Sequence, residues 1–150
     1  MGSGMSGRIA GRVAVVTGGA SGIGAGIARR FCQEGARVLL ADIDETLGSA
    51  VASSCGAAFV HLDVSDPKAW SNLEHMLRSE YGRLDVMVNN AGVVSALDIM
   101  QVTLEDWNRL MGINLTGMML GCQTAVSLMR EQSAGAMGSC LLYTSDAADE

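Results

Sequence analysis

A glycine-rich segment directly follows the first predicted strand, and its residue types suit the binding of a phosphate group. It reads Thr17-Gly18-Gly19-Ala20-Ser21-Gly22-Ile23-Gly24, and we call it the glycine loop. Gly18 permits a tight turn, Gly22 allows the backbone to approach a ligand closely, and Gly24 allows close packing of helix on strand. Because the loop opens a helix, its backbone N–H groups face the place where a pyrophosphate would lie. Glycine-rich turns also join strands to helices without binding anything, so the loop alone is a weak signal.

An aspartate at the end of the second predicted strand strengthens that signal. Asp42 lies 24 residues beyond Gly18, close to where a carboxylate accepts hydrogen bonds from the hydroxyls of an adenosine ribose. The same carboxylate would repel a 2'-phosphate, and neither Ser21 nor Ile43 provides an Arg or Lys to neutralise one. The pattern therefore predicts NAD rather than NADP as the cofactor. The alternative is that Asp42 ends a strand or caps the next helix, which Asp44 could do equally well.

The elements that position these residues alternate between strands and helices. Apolar or β-branched runs predict strands at Val13–Thr17, Val38–Asp42, Ala58–Leu62 and Val86–Asn89. Their near-continuous hydrophobicity is typical of strands covered on both faces, as in a parallel sheet. Segments with helical spacing lie between the strands, at Ile23–Phe31, Glu45–Ser54 and Trp70–Leu77. We therefore predict an α/β fold with a Rossmann-type, doubly wound parallel sheet, in which the carboxyl ends of the strands share one edge.

A long helical stretch follows the fourth strand, from about Leu104 to Arg130, with a break expected near Gly112. Apolar and Met-rich helical faces are usually buried, so we expect its apolar residues to belong to the core. These residues are Leu110, Met111, Leu115, Met119 and Leu120. Residues 1–10 are expected to be a flexible terminus, and residues 11–139 the cofactor-binding domain.

Composition limits the classes of partner. With 150 residues, of which 49% are hydrophobic, the chain can bury the core of one domain. The net charge of -6 argues against binding to nucleic acid or to an anionic membrane, because both need clustered Lys and Arg. No segment has the apolar length of a membrane span or the apolar core of a secretory signal, so we expect a cytoplasmic protein. No metal site is predicted from the spacing of Cys32, Cys55, Cys122, Cys140, His61 and His75, and the cysteines are interpreted as small buried hydrophobes or free thiols.

Three further segments follow the glycine loop in a characteristic order. They are Asp63-Val64 after the third strand, Asn89-Asn90-Ala91-Gly92 after the fourth, and Ile113-Asn114-Leu115-Thr116-Gly117 in the long helix. An Asn/Gly segment alone would be interpreted as an ordinary turn. Together, however, the segments resemble the short-chain dehydrogenase/reductase family over about residues 11–130. The order, the spacing and the placement on predicted elements make the combination specific.

The resemblance implies roles for individual residues. In the family, the positions that match Asp63 and Val64 contact the adenine, and the position that matches Asn90 lies against the nicotinamide-side ribose. The position that matches Asn114 holds a water molecule in a proton relay to the active-site lysine, which makes Asn114 the candidate catalytic residue. The candidate cofactor-binding residues are Gly18, Ala20, Ser21, Gly22, Ile23, Gly24, Asp42, Ile43, Asp63, Val64, Asn90, Ala91 and Gly92.

The resemblance also implies an activity, but the sequence lacks one pair of residues that this activity requires in the family. Family members reduce ketones or oxidise secondary alcohols with a Tyr-x-x-x-Lys pair and a Ser, because the lysine lowers the pKa of the tyrosine. Here Tyr81 is followed four residues later by Asp85, Tyr143 is followed by Ala147, and the only lysine is Lys68. We expect the full-length protein to be an NAD-dependent oxidoreductase of a small-molecule alcohol or ketone, with a hydroxysteroid-like compound as one option. The chain alone is expected to be inactive.

Other expectations concern assembly, alternatives and the end of the chain. The resemblance implies a homodimer or homotetramer for the full-length protein. The alternatives are a 3-oxoacyl-thioester reductase, which would more often carry a basic residue that selects NADP, and a non-catalytic nucleotide-binding or interaction protein. Residues 140–150 resemble the translation of a sequencing-library adapter, so we expect them to be a non-native tail that interrupts the fifth strand and leaves the sheet incomplete at its C-terminal side.

Overall fold

The strands form a single parallel sheet at the centre of the molecule. The computed structural model describes residues 7–132 and 138–142. Within them the strand order is β3-β2-β1-β4-β5, with every neighbouring pair parallel. The strands are β1 Val13–Thr17, β2 Arg37–Asp42, β3 Ala58–His61, β4 Val86–Asn89 and β5 Ser139–Leu142. The predicted Rossmann-type α/β fold is thereby confirmed. Residues 1–6 of the expected flexible terminus and 143–150 of the expected non-native tail lie outside the described residues.

The central strand β1 is buried along its whole length, which explains its continuous apolar sequence. Val13 and Val15 pack into a core on one face of the sheet, together with Trp70 and Leu73. Val16 packs into a second core on the other face. Since successive side chains of a strand point to opposite faces, a strand with helices on both sides must be apolar at every position.

Helices cover both faces. They are α1 Gly22–Gln33, α2 Glu45–Cys55, α3 Pro67–Met76, α4 Leu104–Met111 and α5 Met118–Arg130. Helix α1 packs through Gly24, Ala25 and Ala28, because small side chains allow a close approach to the sheet. A π-helical segment, Leu77–Tyr81, extends α3, and no helix among the described residues is long and apolar enough to cross a membrane.

The predicted long helix is divided by a π-helical segment at Gly112–Gly117, between α4 and α5. The backbone stays helical through this segment, so the chain changes from α-helical to π-helical hydrogen bonding at Gly112 and the helix is not interrupted there as expected. The expectation that all of its apolar residues are core was wrong, because Leu115 is 57% exposed and Met119 is 47% exposed. Each lies two residues before a glycine that packs inward, Gly117 or Gly121, and two residues are about half a helical turn. Leu115 and Met119 therefore point away from the sheet.

The cysteines are all free thiols, as one of the two interpretations predicted. Cys32, Cys55 and Cys122 are half-buried, and Cys140 is exposed.

Candidate functional site

A cleft of about 810 Å³ opens at the carboxyl edge of the sheet. The predicted site residues that line it are Gly18, Ser21, Gly22, Ile23, Asp42, Ile43, Asp63, Val64, Asn90, Ala91, Gly92 and Asn114. Ala20 and Gly24 are buried and are not among the residues that line the cleft. The sequence therefore predicted a set of residues that the fold brings to one place.

The glycines of the loop differ in what surrounds them. Gly18 has a φ of +64°, and a Cβ there would lie 2.8 Å from the Cα of Ala91. A Cβ on Gly24 would overlap the carbonyl oxygen of Gly18. Gly22 has a φ of +51°, but a Cβ there would meet no protein atom within 4 Å. Gly18 and Gly24 are therefore required by packing inside the protein, whereas Gly22 leaves open space on the cleft side of the loop.

The N-terminus of α1 lacks the side-chain cap that three other helices have. In α2 the Asp44 carboxylate accepts a hydrogen bond from the Leu47 N–H at 2.8 Å, and α3 and α4 are capped by Asp66 and Thr103. In α1 the residue before the helix is Ser21, and its side chain makes no cap hydrogen bond. The first turn of α1 also has no acidic side chain. Because the first N–H groups of a helix carry partial positive charge, this end of α1 favours an anion in the cleft.

Thr17, which the sequence did not single out as a site residue, connects the ends of β1 and β4. Its Oγ1 donates to the carbonyl oxygen of Val88 at 3.2 Å. The same oxygen accepts hydrogen bonds from the N–H groups of Asn90 and Ala91, both at 3.0 Å. Thr17 is 1% exposed, so these bonds fix the start of the glycine loop relative to the segment after β4. Its position at the end of β1 is the signal that could have identified it.

Asn90 strengthens the same connection. Its Nδ2 donates to the carbonyl oxygen of Thr17 at 2.9 Å and to that of Gly18 at 3.2 Å. That Asn90 binds the nicotinamide-side ribose remains a prediction. The contacts add a structural role, because the side-chain amide of Asn90 donates to two carbonyl oxygens at the start of the glycine loop.

Asp42 lies at the cleft and accepts two backbone hydrogen bonds. Its Oδ2 accepts from the Ala20 N–H at 2.9 Å, and its Oδ1 accepts from the Asp44 N–H at 3.1 Å. The alternative interpretation, that Asp42 caps the following helix, is not supported, because Asp44 is the residue that caps α2.

Asp63 and Val64 form a short turn that is fixed from both sides. The Asp63 Oδ1 accepts from the N–H of Ser65 at 2.9 Å and from its hydroxyl at 2.7 Å. The Val64 carbonyl oxygen accepts from the indole Nε1 of Trp70 at 2.8 Å, and Gly117 packs against the Val64 side chain. Trp70 is 3% exposed and was not predicted to act at the site. It holds the wall of the cleft that the resemblance assigns to the adenine.

Asn114 lies in the π-helical segment, facing the chain after β4. Its Oδ1 accepts from the Val93 N–H at 2.8 Å, and its Nδ2 donates to the Val93 carbonyl oxygen at 2.7 Å. π-Helical segments inside α-helices are frequent at functional sites. The side-chain amide therefore fixes the segment after Gly92, while the predicted relay role stays a prediction.

Several further residues line the cleft that sequence reasoning did not single out, namely Leu62, Ser65, Arg109, Ile113 and Met118. Ile113 could have been found from its place next to Asn114. The charged residues among all those that line the cleft are Asp42, Asp63 and Arg109. Among the described residues, no group of three or more His, Cys, Asp or Glu side chains could hold a metal ion.

Comparison with known proteins agrees with this geometry. The family model described as short chain dehydrogenase matches residues 12–141. The chain belongs to the short-chain dehydrogenase family. The resemblance inferred from the motifs is thus confirmed, and the family is one of oxidoreductases.

Relatives with names are similar to nearly the whole of this chain. Tropinone reductase-like 2 of Erythroxylum coca is 41% identical over 144 residues, which cover 92% of this chain and 51% of the relative. The 3-alpha-(or 20-beta)-hydroxysteroid dehydrogenase of Mycobacterium tuberculosis is 41% identical over 135 residues, or 89% of this chain and 52% of the relative. A 2,5-dichloro-2,5-cyclohexadiene-1,4-diol dehydrogenase of Sphingobium indicum is 34% identical, with 89% and 55% covered. The chain spans about half the length of the curated relatives it matches.

Proposed function

We propose that the full-length protein is an NAD(H)-dependent oxidoreductase that interconverts a secondary alcohol and a ketone, and that this chain provides its cofactor-binding half. Bound NAD would accept or donate the hydride. The observation that carries the proposal is the uncapped N-terminus of α1, which lines the same cleft as the Asp42 carboxylate.

The residues of the cleft fit the parts of NAD. The N–H groups at the start of α1 suit the pyrophosphate, and Gly22 leaves room for its oxygens. The Asp42 carboxylate suits the adenosine ribose. Ile23 and Ile43 line the cleft, and their side chains are 52% and 63% exposed. They therefore provide apolar surface against which the flat adenine ring can pack. Asp63 adds a carboxylate that can accept from an exocyclic amine.

The choice of NAD over NADP depends on Asp42. A carboxylate next to the 2'-position repels a phosphate, and among the described residues that line the cleft the only cation is Arg109. Isothermal titration of this chain with NAD and NADP tests the proposal. We expect NAD to bind at least about tenfold more tightly, a difference of about 1.4 kcal/mol.

Two results of that titration would contradict the proposal in different ways. Binding of neither dinucleotide would refute the cofactor site itself. Tighter binding of NADP would refute the role of Asp42, and titration of the Arg109→Gln variant would then show whether Arg109 binds the extra phosphate.

For the substrate we propose a ring-bearing, hydroxysteroid-like alcohol or its ketone. Val93 and Val94 line the cleft beyond Gly92, and apolar residues there favour an apolar substrate. Two of the relatives are named for a hydroxysteroid and a cyclohexadienediol. Activity of the full-length protein on hydroxysteroids, measured by the absorbance of NADH, tests this assignment against 3-oxoacyl thioesters as the alternative.

We propose that the chain itself does not catalyse hydride transfer. No tyrosine in the sequence is followed four residues later by lysine, so the sequence lacks the Tyr-x-x-x-Lys pair in which the lysine lowers the pKa of the proton-accepting phenol. Turnover of any secondary alcohol by the 150-residue chain with NAD, at a rate above the buffer background, would contradict this.

The full-length protein is proposed to be a homodimer or homotetramer. The support is a row of exposed apolar residues along α4, α5 and the segment between them, formed by Leu104, Trp107, Leu115, Met119 and Val126. Sedimentation equilibrium of the full-length protein, compared with a Trp107→Glu variant, tests it.

A further inference from the structure

The carboxylate of Asp42 connects the end of β2 to the glycine loop. Its Oδ2 accepts from the Ala20 N–H at 2.9 Å across 22 residues of sequence. One residue earlier in each segment, the Gly19 N–H donates to the carbonyl oxygen of Ala41 at 3.3 Å. Ala20 is only 5% exposed, so its N–H group has little access to water as a replacement acceptor. The Asp42 carboxylate is therefore the group that satisfies this N–H.

The acceptor capacity of Asp42 is only partly used in the ligand-free chain. An ionised carboxylate has about four acceptor positions. Among the described residues, Asp42 accepts from the N–H groups of Ala20 and Asp44, one on each oxygen. One further position remains on each oxygen, and a ribose offers two hydroxyl groups. Binding of a ribose thus adds to the bonds that fix the loop and does not replace them.

We infer that Asp42 is a positioning residue for the glycine loop in addition to a ribose-binding residue, so that recognition of the ribose and binding of the pyrophosphate are coupled through one carboxylate. The ligand part of this inference rests on the proposed function. The positioning part concerns the ligand-free chain and stands or falls separately.

Two variants separate the positioning role of Asp42 from a role in cofactor selectivity alone, namely the isosteric Asp42→Asn and Asp42→Ala. An asparagine side chain has one oxygen and one NH₂ group. It can accept from Ala20 or from Asp44, but at the other position two N–H groups would face each other. Asp42→Asn therefore loses at least one of the two bonds, and Asp42→Ala loses both. The matched control is Asp44→Asn, which removes the same charge two residues away and retains an oxygen that can cap α2.

The first measurement is amide hydrogen exchange in the ligand-free chain, followed by NMR. We expect exchange at Ala20 to rise about tenfold or more relative to Val15 of β1 in Asp42→Ala, which offers the Ala20 N–H no acceptor. In Asp42→Asn the rise should be smaller, because the amide oxygen can still accept from Ala20 while the exposed Asp44 N–H bonds to water. In Asp44→Asn the ratio should not change. An unchanged ratio in both Asp42 variants would overturn the inference, and so would an equal rise at Ala20 and Val15, because that reports a loss of global stability only.

The second measurement uses inorganic pyrophosphate, which contains no ribose. By charge alone, removal of a carboxylate near the site strengthens the binding of an anion. If Asp42 shapes the loop, Asp42→Ala should instead bind pyrophosphate about threefold to tenfold more weakly than the unaltered chain. Asp44→Asn should bind it equally well or more tightly. A gain of affinity in Asp42→Ala would overturn the inference, whereas pyrophosphate binding without NAD binding in the unaltered chain would count against the proposed function only.

Discussion

Two aspartates at opposite edges of the sheet have different surroundings. Asp85 precedes β4 at the amino-terminal edge, and its side chain is 2% exposed. Its carboxylate accepts from Arg12 Nη1, the Val13 N–H and Arg83 Nε, each at 2.8 Å, and from a second nitrogen of Arg83. Asp42, at the carboxyl edge, has two backbone donors and no ion pair among the described residues.

The difference lies in how many acceptor positions the protein itself fills. Four donors occupy the carboxylate of Asp85, which leaves nothing for a ligand, and two of its partners carry charge. Burial raises the pKa of Asp85, but the hydrogen bonds from Arg83, the Val13 N–H and Arg12 outweigh it and lower the pKa below its ordinary value. A filled carboxylate stabilises the fold, whereas a half-filled one beside a cleft is available for binding. We therefore propose that the amino-terminal edge serves stability and the carboxyl edge serves binding, and each can be tested alone.

The largest expected effect is at the carboxyl edge. Gly24→Ala places a Cβ against the carbonyl oxygen of Gly18, so the loop and α1 cannot keep their packing. We expect affinity for NAD to fall by about 100-fold or more, as measured by calorimetry. Gly26→Ala, in the same helix, is the control, because a Cβ there meets no atom within 4 Å. It should leave binding unchanged and raise stability by about 0.5 to 1 kcal/mol. Equal effects of the two variants would contradict the assigned role of Gly24.

At the amino-terminal edge, Asp85→Asn should lower the free energy of unfolding by about 2 to 3 kcal/mol. The substitution leaves two arginines without their shared carboxylate, although both reach solvent and the effect is reduced accordingly. Denaturant unfolding of both proteins provides the measurement. Asp66→Asn, an exposed cap whose function asparagine can fulfil, should change stability by less than about 0.5 kcal/mol. A larger loss of NAD affinity than of stability in Asp85→Asn would show that the two edges are not separate.

The pH dependence of stability tests the same role of Asp85 at the amino-terminal edge. Since the pKa of Asp85 is lowered by folding, its contribution is present above the unfolded value of about 3.9 and is lost as pH falls through the folded pKa. The stability difference between the unaltered chain and Asp85→Asn should be constant from pH 7 to about pH 5 and should shrink below about pH 4. Denaturation midpoints across this range measure it. A difference that grows on acidification would disprove the assigned direction of the shift.

The smallest expected effect concerns the adenine side of the cleft. Trp70→Phe removes the indole N–H that bonds the Val64 carbonyl oxygen and should cost about 1 kcal/mol of stability. Because the turn at Asp63 is then held less firmly, AMP should bind about threefold more weakly and nicotinamide mononucleotide equally well. Trp107→Phe is the control, since Trp107 is 51% exposed and lies outside the cores. Equal losses of affinity for AMP and for nicotinamide mononucleotide would show that Trp70 contributes only to stability.

Sequence reasoning predicted the local features of the site and missed those that depend on packing. The glycine loop and Asp42 were identified because each follows a strand directly and its chemistry is carried by a few adjacent residues. Thr17 and Trp70 were missed because their roles are hydrogen bonds to backbone atoms, in the case of Thr17 across 73 residues. The burial of Leu115 and Met119 was predicted wrongly, since the face that meets the sheet is set by close packing at Gly117 and Gly121.

By itself the sequence determined the strands, the parallel sheet and the edge at which the candidate binding residues lie, because continuous apolar runs and glycines act through local conformation and simple burial. Only the tertiary structure decided which polar groups are satisfied by the protein and which are left for a ligand. Whether an aspartate stabilises the fold or serves binding depends on how many donors reach its oxygens, and those donors come from parts of the chain that only folding brings together.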